Sequence, residues 1–101
     1  MIIYSVTVSI VKDLESDWLE WMQGKHIPDV MATGYFLEYN MFRIMEPVVD
    51  ERFATYTIQY GTANIRNLQE YQRVAAPALQ AEHTERYKDQ YTAFRTLLEK
   101  L

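Results

Sequence analysis

Cysteine is absent from this 101-residue chain, so neither disulfides nor thiolate-bound metals can support its fold. A chain of that length buries only about 60 to 65% of the surface it exposes when unfolded. Extra burial must therefore come from large side chains or from a second copy. Glycine and proline are scarce, three of each, and each marks a bend or a helix end. No apolar run reaches the roughly 20 residues of a membrane-spanning helix, because Ser5, Thr7, Ser9, Glu38, Asn40 and Arg43 interrupt every candidate. Cationic excess is missing as well: the net charge is −4 and the ten Lys and Arg residues are scattered singly, which excludes nucleic acid as an expected partner. Phosphate-binding glycine motifs, a Gly-x-Ser-x-Gly nucleophile turn and short His-x-x-x-His spacings are all lacking. Nucleotide enzymes and serine hydrolases are thereby disfavoured, and no metal site is expected. The first residues open directly on strand-like alternation, with no basic leader or cleavage site, so a cytoplasmic location is expected.

What the chain has in abundance is apolar and aromatic bulk, at 49% and 14% of residues. Ile2, Tyr4, Val6, Val8 and Ile10 alternate with Ser5, Thr7 and Ser9, which predicts a strand over residues 2–11. Asp13 stands where an N-cap belongs, and Leu14, Trp18, Trp21 and Met22 follow at helical spacing. Gly24 weakens that helix, Pro28 suits the first turn of a new one and Gly34 a C-terminal stop, so the crossover is expected to be a broken helix. A β-rich run over residues 35–45 ends at Pro47 and the turn Asp50-Glu51-Arg52. From Phe53 to Tyr60 the alternation resumes, with Ala54, Tyr56, Ile58 and Tyr60 opposite Thr55, Thr57 and Gln59. Asn64 caps a second helix whose stripe is Ile65, Leu68, Tyr71 and Ala75, interrupted at Pro77 and continued by Leu79, His83 and Tyr87. Residues 91–98 close the chain as a fourth strand, with Phe94 and Leu98 opposite Arg95 and Leu97.

The element order β-α-β-β-α-β implies one α+β domain over residues 1–101, of the ferredoxin-like kind. Right-handed crossovers put the first and third strands at the centre of a four-stranded antiparallel sheet, with both interrupted helices on one face. The other face is left bare. It carries Ile3, Val11 and either Arg95 with Leu97 or Phe94 with Leu98, so a second copy is expected to cover it and make a homodimer.

Several short motifs add to this reading: Trp18-x-x-Trp21, His26-Ile27-Pro28, Ala32-Thr33-Gly34, Ala75-Ala76-Pro77-Ala78-Leu79 with Glu82-His83, and Phe94-Arg95-Thr96-Leu97-Leu98. Together they resemble the bacterial domain-of-unknown-function family numbered 4286, over essentially the whole chain. That family is similar in architecture to the dimeric α/β barrel proteins, among them antibiotic-biosynthesis-type monooxygenases, muconolactone-isomerase-like enzymes and haem-degrading enzymes. The resemblance implies two sheets facing each other, with small-molecule pockets between each sheet and its own helices. Chemistry has still to be argued from the site.

His26 is the first candidate, as a general base or an orienting hydrogen-bond donor at the helix break; the alternative is a residue that caps the broken helix. His83, on a face with Leu79 and Tyr87, points inward either to a ligand or to one hydrogen bond in the core. Trp18 and Trp21, with Tyr4, Tyr56 and Tyr60, suit the wall of a pocket for an aromatic molecule and equally suit plain packing. Arg95 and Arg43 lie mid-strand and call for an anionic ligand or for acidic partners such as Glu38 and Glu99. The rows Ser5, Thr7, Ser9 and Thr55, Thr57, Gln59 make a small-polar floor on the bare face.

Two functional classes follow. One is a binder of a small apolar or aromatic molecule through Trp18, Trp21, Tyr56, His83 and Arg95 with His26 as the reactive group, extending to a cofactor-independent monooxygenase or isomerase. The other is a non-catalytic homodimeric module in which those residues are architecture. A haem-binding role through His26 ranks behind both, and no cofactor is expected.

Overall fold

Alternation along residues 2–11 and 53–60 becomes two ten-residue central strands, the second running on to Thr62, in the computed structural model, which describes residues 1–101. β1 is Ile2–Val11, β2 Glu38–Arg43, β3 Phe53–Thr62 and β4 Tyr91–Glu99, all antiparallel in the order β2-β3-β1-β4. Helices α1 (Glu15–Trp21) and α2 (Ile27–Ala32) form the first crossover, and α3 (Ile65–Val74) and α4 (Ala76–Arg86) the second. The fold is the ferredoxin-like βαββαβ arrangement. No helix is long and apolar enough to cross a membrane.

Register decides which side chains meet. Tyr4 faces Tyr60 and Leu97, Val6 faces Ile58 and Arg95, and Val8 faces Tyr56 and Ala93. This parity points to the helices and holds the core, where Ile10, Trp18, Ile27, Ile58 and Leu68 are almost wholly buried. The opposite parity is a hydroxyl ladder: Ser5 Oγ and Ser9 Oγ each lie 2.9 Å from a β3 threonine, Thr57 and Thr55 respectively. Apolar side chains flank the ladder on the uncovered face, with Phe42, Phe94 and Leu98 left 48%, 62% and 41% exposed. Of the two alternatives for β4, Phe94 with Leu98 is therefore the outward pair, and Arg95 belongs to the helix side.

Local details depart from the sequence reading in four places. Asp13 caps nothing: Lys12–Leu14 is a 3₁₀ turn, and α1 starts behind Leu14 without a side-chain cap. The first crossover is interrupted by a π-helical turn at Met22–His26 rather than by a loop, so α1 passes into α2 with helical backbone throughout. Pro28 has no N–H to offer the preceding turn, and the Ile27 N–H reaches back to the Met22 carbonyl instead. β2 is shorter than expected because Tyr35 and Phe36 turn into the aromatic core before the strand begins. Arg43 pairs with Glu15 at 3.6 Å rather than with Glu38 or Glu99, and lies over the Tyr56 ring. Asn64 does cap α3, accepting from the Asn67 N–H at 2.9 Å.

Candidate functional site

The π-helical turn places His26 on the inner side of the helical layer. Such a turn adds a residue to the helical repeat and re-aims the side chains that follow. Trp21, from the last turn of α1, stacks on the imidazole of His26 at 5.2 Å. His83 comes from α4, where the Leu79–His83–Tyr87 spacing puts it on the buried face. The two imidazoles, far apart in sequence, stand edge to face at 5.8 Å between centroids. Tyr91 of β4 closes against His83 at 4.4 Å.

The histidines differ in their hydrogen bonding. Trp18 Nε1 donates to His83 Nε2 at 3.0 Å, so that nitrogen is an unprotonated acceptor and the ring proton sits on Nδ1. His26 has no cap bond, and its Nδ1 is buried with no partner at all. A buried polar atom in that condition costs about 1 to 3 kcal/mol. The capping role offered as an alternative for His26 is thereby excluded.

Both histidines border a cavity between sheet and helices, with β1 and β3 as its floor and α4 with the β4 edge as its side. Its volume, as space for the centres of water-sized molecules, is about 50 Å³, against the ~10–15 Å³ one water needs. Tyr4, Tyr60 and Tyr71 bring phenol groups to one part of the cavity, and Arg95 and Gln80 also line it. Val6, Val8, Ile58 and Leu79 supply the apolar wall.

Burial is the main influence on the acidities of His26, His83, Tyr60 and Tyr71. It lowers His83 to about 4, helped by the positive charges of His26 and Arg95. It lowers His26 as well, against the opposing pull of Glu82 and Asp29. It pushes Tyr71 up to about 12 and raises Tyr60 also, with neighbouring phenols adding to both. Near pH 7 His26 and His83 are thus neutral imidazoles, and Tyr60 and Tyr71 neutral phenols. No Asp or Glu lines it, and Arg95 is its one fixed charge. His26 and His83 belong to no group of three potential metal ligands.

The sequence matches, across residues 1–101, the family described as Domain of unknown function (DUF4286). The chain belongs to the DUF4286 family. No curated protein matches this DUF4286 sequence significantly. Among solved structures, an ethyl tert-butyl ether D (EthD) family protein from Bacillus halodurans superposes with a TM-score of 0.70 at 14% identity, covering 100% of both chains. HapK from Hahella chejuensis gives 0.73 at 9% identity, covering 100% of this chain and 93% of its own. A dimeric ferredoxin-like protein from an uncultured marine organism gives 0.70 at 8% identity, covering 100% and 95%. The DUF4286 chain thus has the fold of the dimeric α/β barrel proteins, and at such identities the likeness is one of fold.

Of the residues singled out from the DUF4286 sequence, His26, His83 and Arg95 come together around the cavity. Trp18, Trp21 and Tyr56 do not line it. Trp18 is fully buried behind His83 and against Tyr56, Tyr56 donates its hydroxyl to Glu15, and Trp21 lies between His26 and the guanidinium of Arg86. Tyr71 and Gln80 were not read from sequence as site residues. The available signal was Tyr71 itself, whose hydroxyl on an otherwise apolar helix stripe needs a partner once buried.

Proposed function

We propose that this DUF4286 chain acts as one domain in a homodimer and binds a small apolar or aromatic molecule in the pocket between its sheet and its helices. One observation carries the reading: His26 Nδ1 is buried beside a cavity and bonded to nothing. Nearly all buried polar groups are satisfied in folded proteins; Nδ1 is closed off in this conformation, and a bound molecule that draws the His26 ring toward the cavity supplies the partner it lacks. Three tyrosine rings with apolar neighbours offer complementary walls to an aromatic body. The size of the cavity favours a small molecule over a haem.

Self-pairing rests on the apolar side chains around the hydroxyl ladder, on the exposed Phe42, Phe94 and Leu98, and on the dimeric state of the marine ferredoxin-like relative. His26 is also neutral near pH 7 through burial, the state a general base requires. Proton abstraction from the bound molecule is the chemistry the site admits, as in a cofactor-independent isomerase or oxygenase.

The test is a thermal-shift and NMR screen of small aromatic compounds against the native protein and His26→Leu. Binding adds stability as the logarithm of ligand concentration over Kd, about 2.7 kcal/mol at a hundredfold excess. At least one compound is expected to raise the melting temperature of the native protein and to shift resonances of residues around His26. No shift from any compound, together with no small molecule retained by the purified protein in native mass spectrometry, refutes the reading.

A further inference from the structure

The charge of the pocket narrows the class of molecule that fits it. Arg95 sits on β4 directly opposite Val6 of β1, with the parity that faces the helices. It has no ion pair, as is true of Lys12, Arg66, Lys88 and Lys100, and of these five unpaired cations it alone lines the cavity. The cavity walls contain no acid to compensate it. In a protein of net charge −4, the pocket is thus locally cationic.

A second depression adjoins the first on its outer side and shares Gln80, Tyr91, Ala93 and Arg95 with it. Thr84, Lys88 and Thr92 extend this vestibule, and Asp89 is its one acid. Arg95 is exposed while lining both spaces. It stands where a charge in solvent contact meets the apolar interior. The influence of its guanidinium reaches inward to His83 and to Tyr71, whose acidities it shifts.

We infer that the molecule bound here is a small organic acid, its carboxylate held by Arg95 at the mouth and its apolar or aromatic body directed inward toward the tyrosines and His26. This rests on the pocket-binding reading above and adds the charge class of the ligand. A guanidinium presents parallel N–H groups that match the two oxygens of a carboxylate. Retention of charge at the solvent boundary spares the anion full desolvation. The phenol and imidazole groups inside are neutral, so they favour the uncharged end of the ligand.

Phenylacetate and its uncharged isostere phenylacetamide test the inference, titrated by NMR into the full chain at millimolar concentration. Phenylacetate is expected to bind at least about tenfold more tightly, the margin of a charge-assisted over a neutral hydrogen bond. Arg95→Gln, a change at an exposed position, is expected to reduce phenylacetate to the affinity of the amide and leave the amide unchanged. Lys88→Gln is expected to preserve the preference. Equal binding of the two compounds to the native protein overturns the organic-acid assignment and leaves the pocket reading standing. A preference that survives Arg95→Gln and disappears in Lys88→Gln overturns the role of Arg95. Failure of both compounds, and of the neutral aromatic screen as well, refutes the pocket reading itself and the inference with it.

Discussion

Trp18 and His83, 65 positions apart, are joined by one buried hydrogen bond of 3.0 Å from the indole N–H to imidazole Nε2. The bond ties the first crossover helix to the second and sets the tautomer of His83. It also separates the roles of the two histidines: His83 is held in the core, and His26 beside it is left with a free nitrogen.

Trp18→Phe keeps an aromatic ring against Tyr56 while leaving His83 Nε2 without its donor. The expected loss is about 1 to 3 kcal/mol for the orphaned acceptor, with a melting temperature lower by about 4 to 8 °C for each kcal/mol. Thermal denaturation followed by circular dichroism measures it. A melting temperature equal to that of the native protein would show that the hydrogen bond contributes nothing net.

Stability is expected to depend on pH in the acid range. Burial holds His83 at about 4 in the fold, below the ~6.5 of an exposed imidazole. Between those values the unfolded chain binds the proton and the folded chain does not, so stability falls as pH falls. The contribution is complete above about pH 6.5, and by pH 4.5 the loss amounts to about 2 to 3 kcal/mol. His26 is shifted in the same direction and adds to the trend. Urea midpoints at pH 7 and 4.5, compared between the native protein and His83→Gln, isolate the effect of His83. Equal losses in the two proteins would remove His83 from the account.

His26→Leu separates binding from folding. It replaces a half-buried ring whose Nδ1 is buried and bonds to nothing by an apolar side chain, so the unfolding free energy should stay within about 0.5 kcal/mol of the native value or rise. Binding of any compound that the pocket accepts should weaken. A large drop in stability with binding unchanged would make the histidine architectural.

Phe94→Asp places a charge on the uncovered face beside Thr7, its partner in register. If that face joins two copies, sedimentation velocity should give a dimer for the native chain and a monomer for this variant, because an unpaired charge among the apolar side chains that flank the hydroxyl ladder is strongly unfavourable once covered. Val49→Asp, on a loop residue 92% exposed, serves as the control and should remain dimeric. A native protein that sediments as a monomer at tens of micromolar would remove the proposed interface.

Much of this arrangement was legible in the sequence because it depends on local periodicity. Period-two alternation in residues 2–11 and 53–60 identified the central strands, and the crossover rule then set the strand order and left one face bare. Asn64 marked the start of α3, and Pro77 the break between α3 and α4, through backbone chemistry confined to a few residues. The four-residue spacing of Leu79, His83 and Tyr87 was enough to turn His83 inward.

Only the tertiary structure decided which of these residues share a site. Whether Arg95 or Phe94 faced the helices depended on the register of β4 against β1, since alternation shows that two faces exist and not which one is covered. The π-helical turn altered the helical repeat between Trp21 and Ile27, so the tryptophans and His26 could not be assigned to one wall by ordinary spacing. Trp18 and Trp21 accordingly pack behind the pocket while His26 lines it. The meeting of His26 with His83, and of both with the cavity that Arg95 borders, arises where two crossovers pack on one sheet. The sequence determined the elements and their faces through local chemistry; the pocket depends on how those faces are rotated and aligned against one another.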